Sequence, residues 1–236
     1  LARTGVVRAA GKPGANERLV AGVIGVGGMG SAHLGGMLEF QKKGIAAVAA
    51  VCDVDEERLA RAAKTAGPGA VPYRDYRALL DRKDIDAVVI ATPDHWHAVQ
   101  TVHACESGKH VYVEKPASVT IREGRAMVDA ARKNRRAVQV GAQARTARPA
   151  HATCTAIRNG IVGKVSRVTC WHYENPVDSS PVPDSEPPPG LDWDLWLGPA
   201  PARPYQYNVA PYTFRWWKDY SSQMGNWGVH YMDAIR

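Results

Sequence analysis

Four residues set out a binding chemistry before any element is assigned. Gly25, Gly27 and Gly30 follow an apolar stretch in Leu19–Gly30 (LVAGVIGVGGMG), and Asp53 closes a second one, Ala46–Asp53 (AAVAAVCD). A strand before, a helix after and an acidic residue at the end of the next strand form the context of a dinucleotide-binding turn. Gly25 permits the tight turn, Gly27 lets the backbone approach a pyrophosphate, and Gly30 lets the helix pack on the sheet. The helix opens near Gly28 and Met29, and its free N–H groups and positive dipole end suit the anion. Asp53 can accept hydrogen bonds from both hydroxyls of an adenosine ribose and would repel a 2′-phosphate, which favours NAD over NADP. Asp53 or Asp55 could also cap the helix Glu56–Ala66, and one residue could serve both purposes.

Three further motifs fall where strands end. They are Ala91–His97 (ATPDHWH), Gly108–Pro116 (GKHVYVEKP) and Gly225–Asp233 (GNWGVHYMD). The first follows Ile85–Ala91 (IDAVVIA), a continuous apolar run that suits a strand buried on both faces. Ligands of open α/β sheets sit at that edge. His95-x-His97 has the spacing of a metal pair, but no carboxylate or cysteine completes a ligand set, so no metal is expected. The Lys115–Pro116 bond is open to the cis isomer, which would turn the lysine in an unusual direction.

These motifs need a scaffold of alternating strands and helices. The pattern predicts helices at Met29–Lys43, Glu56–Ala66, Tyr76–Arg82, His95–Ser107 and Ile121–Asn134, the last opened by a Thr120-x-x-Glu123 capping box. Strands are predicted at Ile45–Cys52, Ala70–Tyr73, His110–Val113 and Ala137–Val140. The reading is an α/β fold with a doubly wound parallel sheet over 19–142. A partial α+β domain follows over 143–236, with a helix near Ala150–Asn159, a strand at Lys164–Tyr173 and a helix at Trp227–Arg236. Between them, Pro176–Pro204 is too proline-rich for regular structure. Its LDWDLWLG island is expected to pack over the first domain. Residues 1–18 read as a disordered polar tail.

Composition narrows the function classes. The 236 residues are 45% hydrophobic with a formal charge of +7, but no apolar run spans a membrane. The basic residues are scattered apart from Arg132–Arg136 at a helix end, which reads as a solvated face and not a nucleic-acid footprint. Cys52, Cys105, Cys154 and Cys170 show no metal or disulfide spacing, and Cys52 and Cys105 suit buried thiols.

With the glycine turn, the TP…H step, the EKP tripeptide and the late histidine in this order, the chain resembles the Gfo/Idh/MocA family of NAD(P)-dependent sugar and inositol oxidoreductases from Leu19 to Arg236. The resemblance implies that Thr92, Pro93 and His97 line the nicotinamide side, with Glu114 and Lys115 beside the reacting centre. It makes His230 the catalytic base and places Asn226 with Lys115 and His230 on the substrate side. Such roles are physically coherent. An imidazole can take the proton of a hydroxyl as hydride leaves, and an ammonium can steady the oxygen. The chain departs from the family where Ser221 and Ser222 replace a glycine pair and Asn226 replaces an aspartate. Asn226 can orient His230 but cannot relay a proton.

Members continue past this histidine helix with an open sheet that completes the pocket and often the subunit interface. The chain is therefore expected to be a fragment or a protein with a shortened second domain, with homo-oligomers possible at full length. The leading expectation is an NAD-dependent oxidoreductase acting on a secondary hydroxyl of a sugar, inositol or derivative. An NAD-dependent glycoside hydrolase working by transient oxidation and elimination is the alternative, and a non-catalytic NAD-binding protein the third. The ragged N-terminal tail and the resemblance favour periplasmic export by the twin-arginine route over a cytoplasmic location.

Overall fold

The computed structural model describes residues 18–172 and 181–235, so the tail expected at 1–18 lies outside it except for Arg18. Six strands form one sheet: β1 (Leu19–Ile24), β2 (Ala46–Cys52), β3 (Val71–Tyr73), β4 (Ala87–Ile90), β5 (His110–Glu114) and β6 (Val138–Gly141). Their order is β3-β2-β1-β4-β5-β6, and all five pairings are parallel. Ile24 lies opposite Cys52 on one side and Ile90 on the other. The order of connection therefore reverses between β1 and β4, which opens a crevice at the carboxyl ends of those strands.

The connecting helices are α1 (Gly28–Lys42), α2 (Glu56–Ala66), α3 (Tyr76–Leu80), α4 (Asp94–Glu106) and α5 (Ile121–Asn134). Successive strand residues point to opposite faces. Val23, Val51 and Val89 pack with Leu34 of α1 and Leu59, Ala62 and Ala66 of α2. Ile24, Cys52, Val88 and Ile90 pack with Leu79 of α3, Ala98 and Ala104 of α4 and Met127 of α5. Two covered faces explain why β4 reads as an unbroken apolar run, and each large aliphatic side chain so buried contributes about 1.5–3 kcal/mol. Caps fix the helix starts. Asp55 accepts from the Arg58 N–H, Asp75 from the Arg77 N–H, and Thr120 and Glu123 form the expected capping box. Asp55 thus caps α2, which leaves Asp53 for other work.

Beyond β6 come a 3-10 turn (Gln143–Thr146), α6 (Arg148–Arg158), α7 (Trp193–Leu197), a second 3-10 turn (Thr213–Trp216), a π turn (Met224–Gly228) and α8 (Val229–Ile235). The π turn takes in Trp227 and Gly228, so the helix expected at Trp227–Arg236 is observed from Val229, and Arg236 lies outside the described residues. The strand expected at Lys164–Tyr173 is corrected: 164–172 contain no strand, and residue 173 lies outside the described residues. Its β-branched Val165, Val168 and Thr169 look strand-like, but Trp171 is 78% exposed. No strand lies alongside among the described residues, and an unpaired strand leaves its ladder groups unsatisfied. Within the proline-rich stretch, α7 is a short exception to the expected irregularity. Asp192 caps it by accepting from the Leu195 N–H.

Trp193, Trp196, Leu197, Tyr205, Phe214 and Tyr220 build a third apolar cluster that takes in Val54 of the β2–α2 loop. The aromatic island packs on the first domain as expected. The Trp196 carbonyl accepts from Trp96 Nε1 and faces His95 Nε2, both at 3.0 Å. Gly198 must be glycine there, because a Cβ would lie 1.9 Å from the Trp96 ring.

Candidate active site

At the carboxyl edge of the sheet runs a cleft of about 730 Å³. Gly25, Gly27, Gly28, Met29 and Asp53 line one end, and Lys115, Asn226, Trp227 and His230 the other, with Thr92, Pro93, His97 and Glu114 between. Gly30 is not on its wall. Its Cβ would fall 1.7 Å from the Gly25 carbonyl oxygen, so glycine there is what allows α1 to start against the turn. Gly25 holds φ +80°, and a Cβ on it would stand 2.7 Å from the Thr92 nitrogen.

This end fits a dinucleotide on its own geometry. No side chain caps α1 at Gly27, so the first-turn N–H groups keep their capacity for an outside anion. A Cβ on Gly27 would stand 2.9 Å from the Arg58 guanidinium, which makes a narrow cradle of bare backbone. Asp53 Oδ2 accepts from the Val26 N–H at 2.8 Å and Oδ1 from the Asp55 N–H at 3.0 Å. Both oxygens retain lone pairs for ribose hydroxyls. Burial pushes the Asp53 carboxyl up, against the pull of those two N–H groups and of Arg58.

The other end is assembled from the loop after β5, the π turn and α8. Lys115–Pro116 is a cis peptide. The Lys115 ammonium donates to the Asn226 carbonyl at 2.7 Å and stands 3.4 Å from Asn226 Oδ1. Burial lowers its pKa, while Asp94 and Glu114 act the other way. Asn226 is itself buried, and its Nδ2 has no partner among the described residues. His230 enters from α8 and stands edge-on to Trp227. Burial first, and the Lys115 charge second, hold its pKa below the ordinary histidine value.

Glu114 is locked in place. Its Oε1 faces His33 Nε2 at 2.7 Å and accepts from Gln143, and its Oε2 accepts from the Lys115 N–H at 3.2 Å. Burial raises its pKa, but these bonds together outweigh it and leave the carboxyl below its usual range. The two motif histidines are both held by backbone. His97 sets Nδ1 against the Pro116 carbonyl at 2.6 Å and Nε2 against that of Thr92 at 2.8 Å, tying the TP step to the EKP loop. His95 faces Trp196, as above. No group of His, Cys, Asp and Glu among the described residues could hold a metal ion.

Several residues of the site escaped sequence reasoning. Asp94 is buried, accepts from the Ser221 hydroxyl, and is pushed up by burial against the pull of His97. Arg215 lines the cleft with its guanidinium 4.2 Å from the Tyr212 ring and 4.4 Å from that of Phe214. His33, Gln143 and Arg58 join them. Asp94 meets Ser221, and His33 and Gln143 meet Glu114, across long sequence separations that no local spacing signals.

Comparison with known proteins agrees with the architecture. Residues 19–142 match the model of the GFO_IDH_MocA oxidoreductase family, NAD-binding Rossmann fold, and residues 155–236 match that of its C-terminal alpha/beta domain. Inositol 2-dehydrogenase of Salmonella typhimurium is 32% identical over 174 residues, which is 73% of this chain and 50% of that protein. A glycosyl hydrolase family 109 protein of Saccharopolyspora erythraea is 40% identical over 130 residues, 52% of this chain and 28% of that protein. The WlbA dehydrogenase of Bordetella pertussis, solved in complex with NADH and UDP-GlcNAcA, aligns with a TM-score of 0.57 at 27% identity. That match covers 63% of this chain and 43% of that one. The chain spans half or less of the length of these relatives. With the first model covering more than half of its residues, this chain belongs to the Gfo/Idh/MocA oxidoreductase family.

Proposed function

We propose that this chain oxidises a secondary hydroxyl of a sugar, inositol or related polyol, with NAD rather than NADP as the hydride acceptor. The observation that carries the reading is the single cleft that joins the glycine turn and Asp53 to Lys115, Asn226 and His230. In this reading 19–142 holds the cofactor and 143–236 supplies the facing wall. Gly25, Gly27, Gly28 and the first turn of α1 hold the pyrophosphate, and Asp53 takes the ribose. Bound there, the nicotinamide ring supplies a carbon that accepts hydride.

The chain's own groups handle the proton. Lys115 orients the substrate hydroxyl and favours negative charge on its oxygen. His230 removes the hydroxyl proton, and a pKa below the ordinary value keeps its imidazole neutral and ready at neutral pH. Asn226 Nδ2 offers a donor to a neighbouring hydroxyl. Glu114, with its oxygens engaged, fixes the backbone from which Lys115 projects.

A second reading, supported by the Saccharopolyspora relative, is a glycoside hydrolase that oxidises its sugar transiently, eliminates the substituent and takes the hydride back. One assay separates the two. Inositols, free sugars and aryl glycosides are incubated with NAD or NADP, with absorbance followed for reduced cofactor and for released aglycone. NADH accumulating on free polyols supports the dehydrogenase, and aglycone release without net NADH supports the hydrolase. Turnover with NADP alone overturns the cofactor assignment.

A further inference from the structure

The proline-rich insertion contributes to the same cleft, at the end away from Lys115. Pro188, Pro189 and Leu191 line it together with Asp53, Val54, Asp55, Arg58 and Arg74. This wall is pinned. The Glu56 N–H donates to the Gly190 carbonyl at 3.0 Å, and the Asp192 N–H donates to the Val54 carbonyl at 3.0 Å. Leu191 pairs with Asp55 in an antiparallel bridge. Arg74 pairs with Glu56 and reaches to 4.0 Å from Asp192, tying strand β3, helix α2 and the insertion together. Behind it, Leu191 and Val54 rest on the Trp193–Trp196 cluster. The segment is therefore a built wall and not a loop that happens to lie near.

We infer that residues 188–191 form the adenine wall of the cofactor site, so that adenosine is enclosed between the β2–α2 loop and the insertion. This rests on the NAD reading, which puts the ribose at Asp53 and the base beyond it, along Val54 and Asp55. A flat, apolar base gains there the apolar faces of two prolyl rings and a leucine. Enclosure by an anchored segment slows cofactor exchange.

Two variants test it. Leu191→Ala removes apolar wall and leaves the backbone anchors in place. Gly190→Val moves the wall, because Gly190 holds φ +85° with the Glu56 Cβ 3.3 Å from where its own Cβ would lie. Calorimetric titration uses ADP-ribose for the adenosine end and nicotinamide mononucleotide for the other, with thermal melting to confirm folding. The expected result for Leu191→Ala is an ADP-ribose dissociation constant raised about tenfold with that of the mononucleotide unmoved. Gly190→Val should weaken ADP-ribose at least as much and speed NAD release. An unmoved ADP-ribose constant in folded variants, or equal weakening of both probes, overturns the inference alone. If the unaltered chain binds neither NAD nor ADP-ribose, the proposed function falls and takes this inference with it.

Discussion

His97 offers a demanding test of how the site is held. Its ring is 1% exposed and touches two backbone carbonyls, Pro116 at 2.6 Å and Thr92 at 2.8 Å. A neutral imidazole donates to one of them and a protonated ring to both. His97→Phe keeps an aromatic ring of similar size and removes both contacts. The neutral ring's single N–H serves one buried carbonyl, and a carbonyl that loses its donor costs about 1–3 kcal/mol, so the loss is near 2 kcal/mol. For a chain of this length, where about 2–4 °C of melting temperature goes with each kcal/mol, the midpoint should fall by about 4–8 °C. His97→Gln retains an amide donor and should fall less far. Circular dichroism melting of the three proteins gives the comparison, with NAD titration reporting whether the EKP loop still closes the cleft. A His97→Phe midpoint within about 2 °C of the parent would refute the reasoning, because the clamp would then hold nothing.

Three further outcomes follow from the geometry. Gly30→Ala forces a Cβ to 1.7 Å from the Gly25 carbonyl, so NAD binding by calorimetry should be lost; retained affinity would mean the turn can be rebuilt. His95 has its pKa lowered from 6.5 to about 4 by burial, so it stays neutral in the folded chain while the unfolded chain binds a proton. Its contribution to stability is present above pH 6.5 and is lost as pH falls toward 4, by about 2 kcal/mol at pH 5. Urea unfolding at pH 7 and pH 5 should therefore show a smaller loss in His95→Gln than in the parent, and equal losses would sink the argument. For activity, the acid limb of kcat/KM should lie below 6.5, since burial and the Lys115 charge depress His230, and a limb above that value would exclude His230 as the base.

The sheet was legible because its signals are local. The glycine turn, the acidic end of β2, the unbroken apolar β4 and the Thr120 capping box each occupy a few consecutive residues. The Lys164–Tyr173 expectation failed because β-branched content describes half of a strand's needs; the other half is a partner, which no local pattern supplies. At the site, Gly25, Gly27, Asp53 and residues of the quoted motifs reach one cleft, but the roles the motif residues play there are less direct. His97 meets Pro116, 19 residues away, and Asp94 meets Ser221, 127 residues away. The Asp94–Ser221 contact joins two loops whose encounter is set by tertiary packing, so Asp94 reads in sequence as one more helix-start carboxylate. Asp55 illustrates the opposite case. Two aspartates two residues apart competed for one cap, and the structure divides the work between them.

The central claim, that cofactor and proton chemistry meet in one cleft, is most directly tested by measuring NAD affinity and turnover together in Lys115→Ala and His230→Ala. The account predicts NAD dissociation constants within about threefold of the parent and turnover on the best polyol or glycoside reduced at least about a hundredfold. Full turnover in either variant, with NAD still bound, would contradict it.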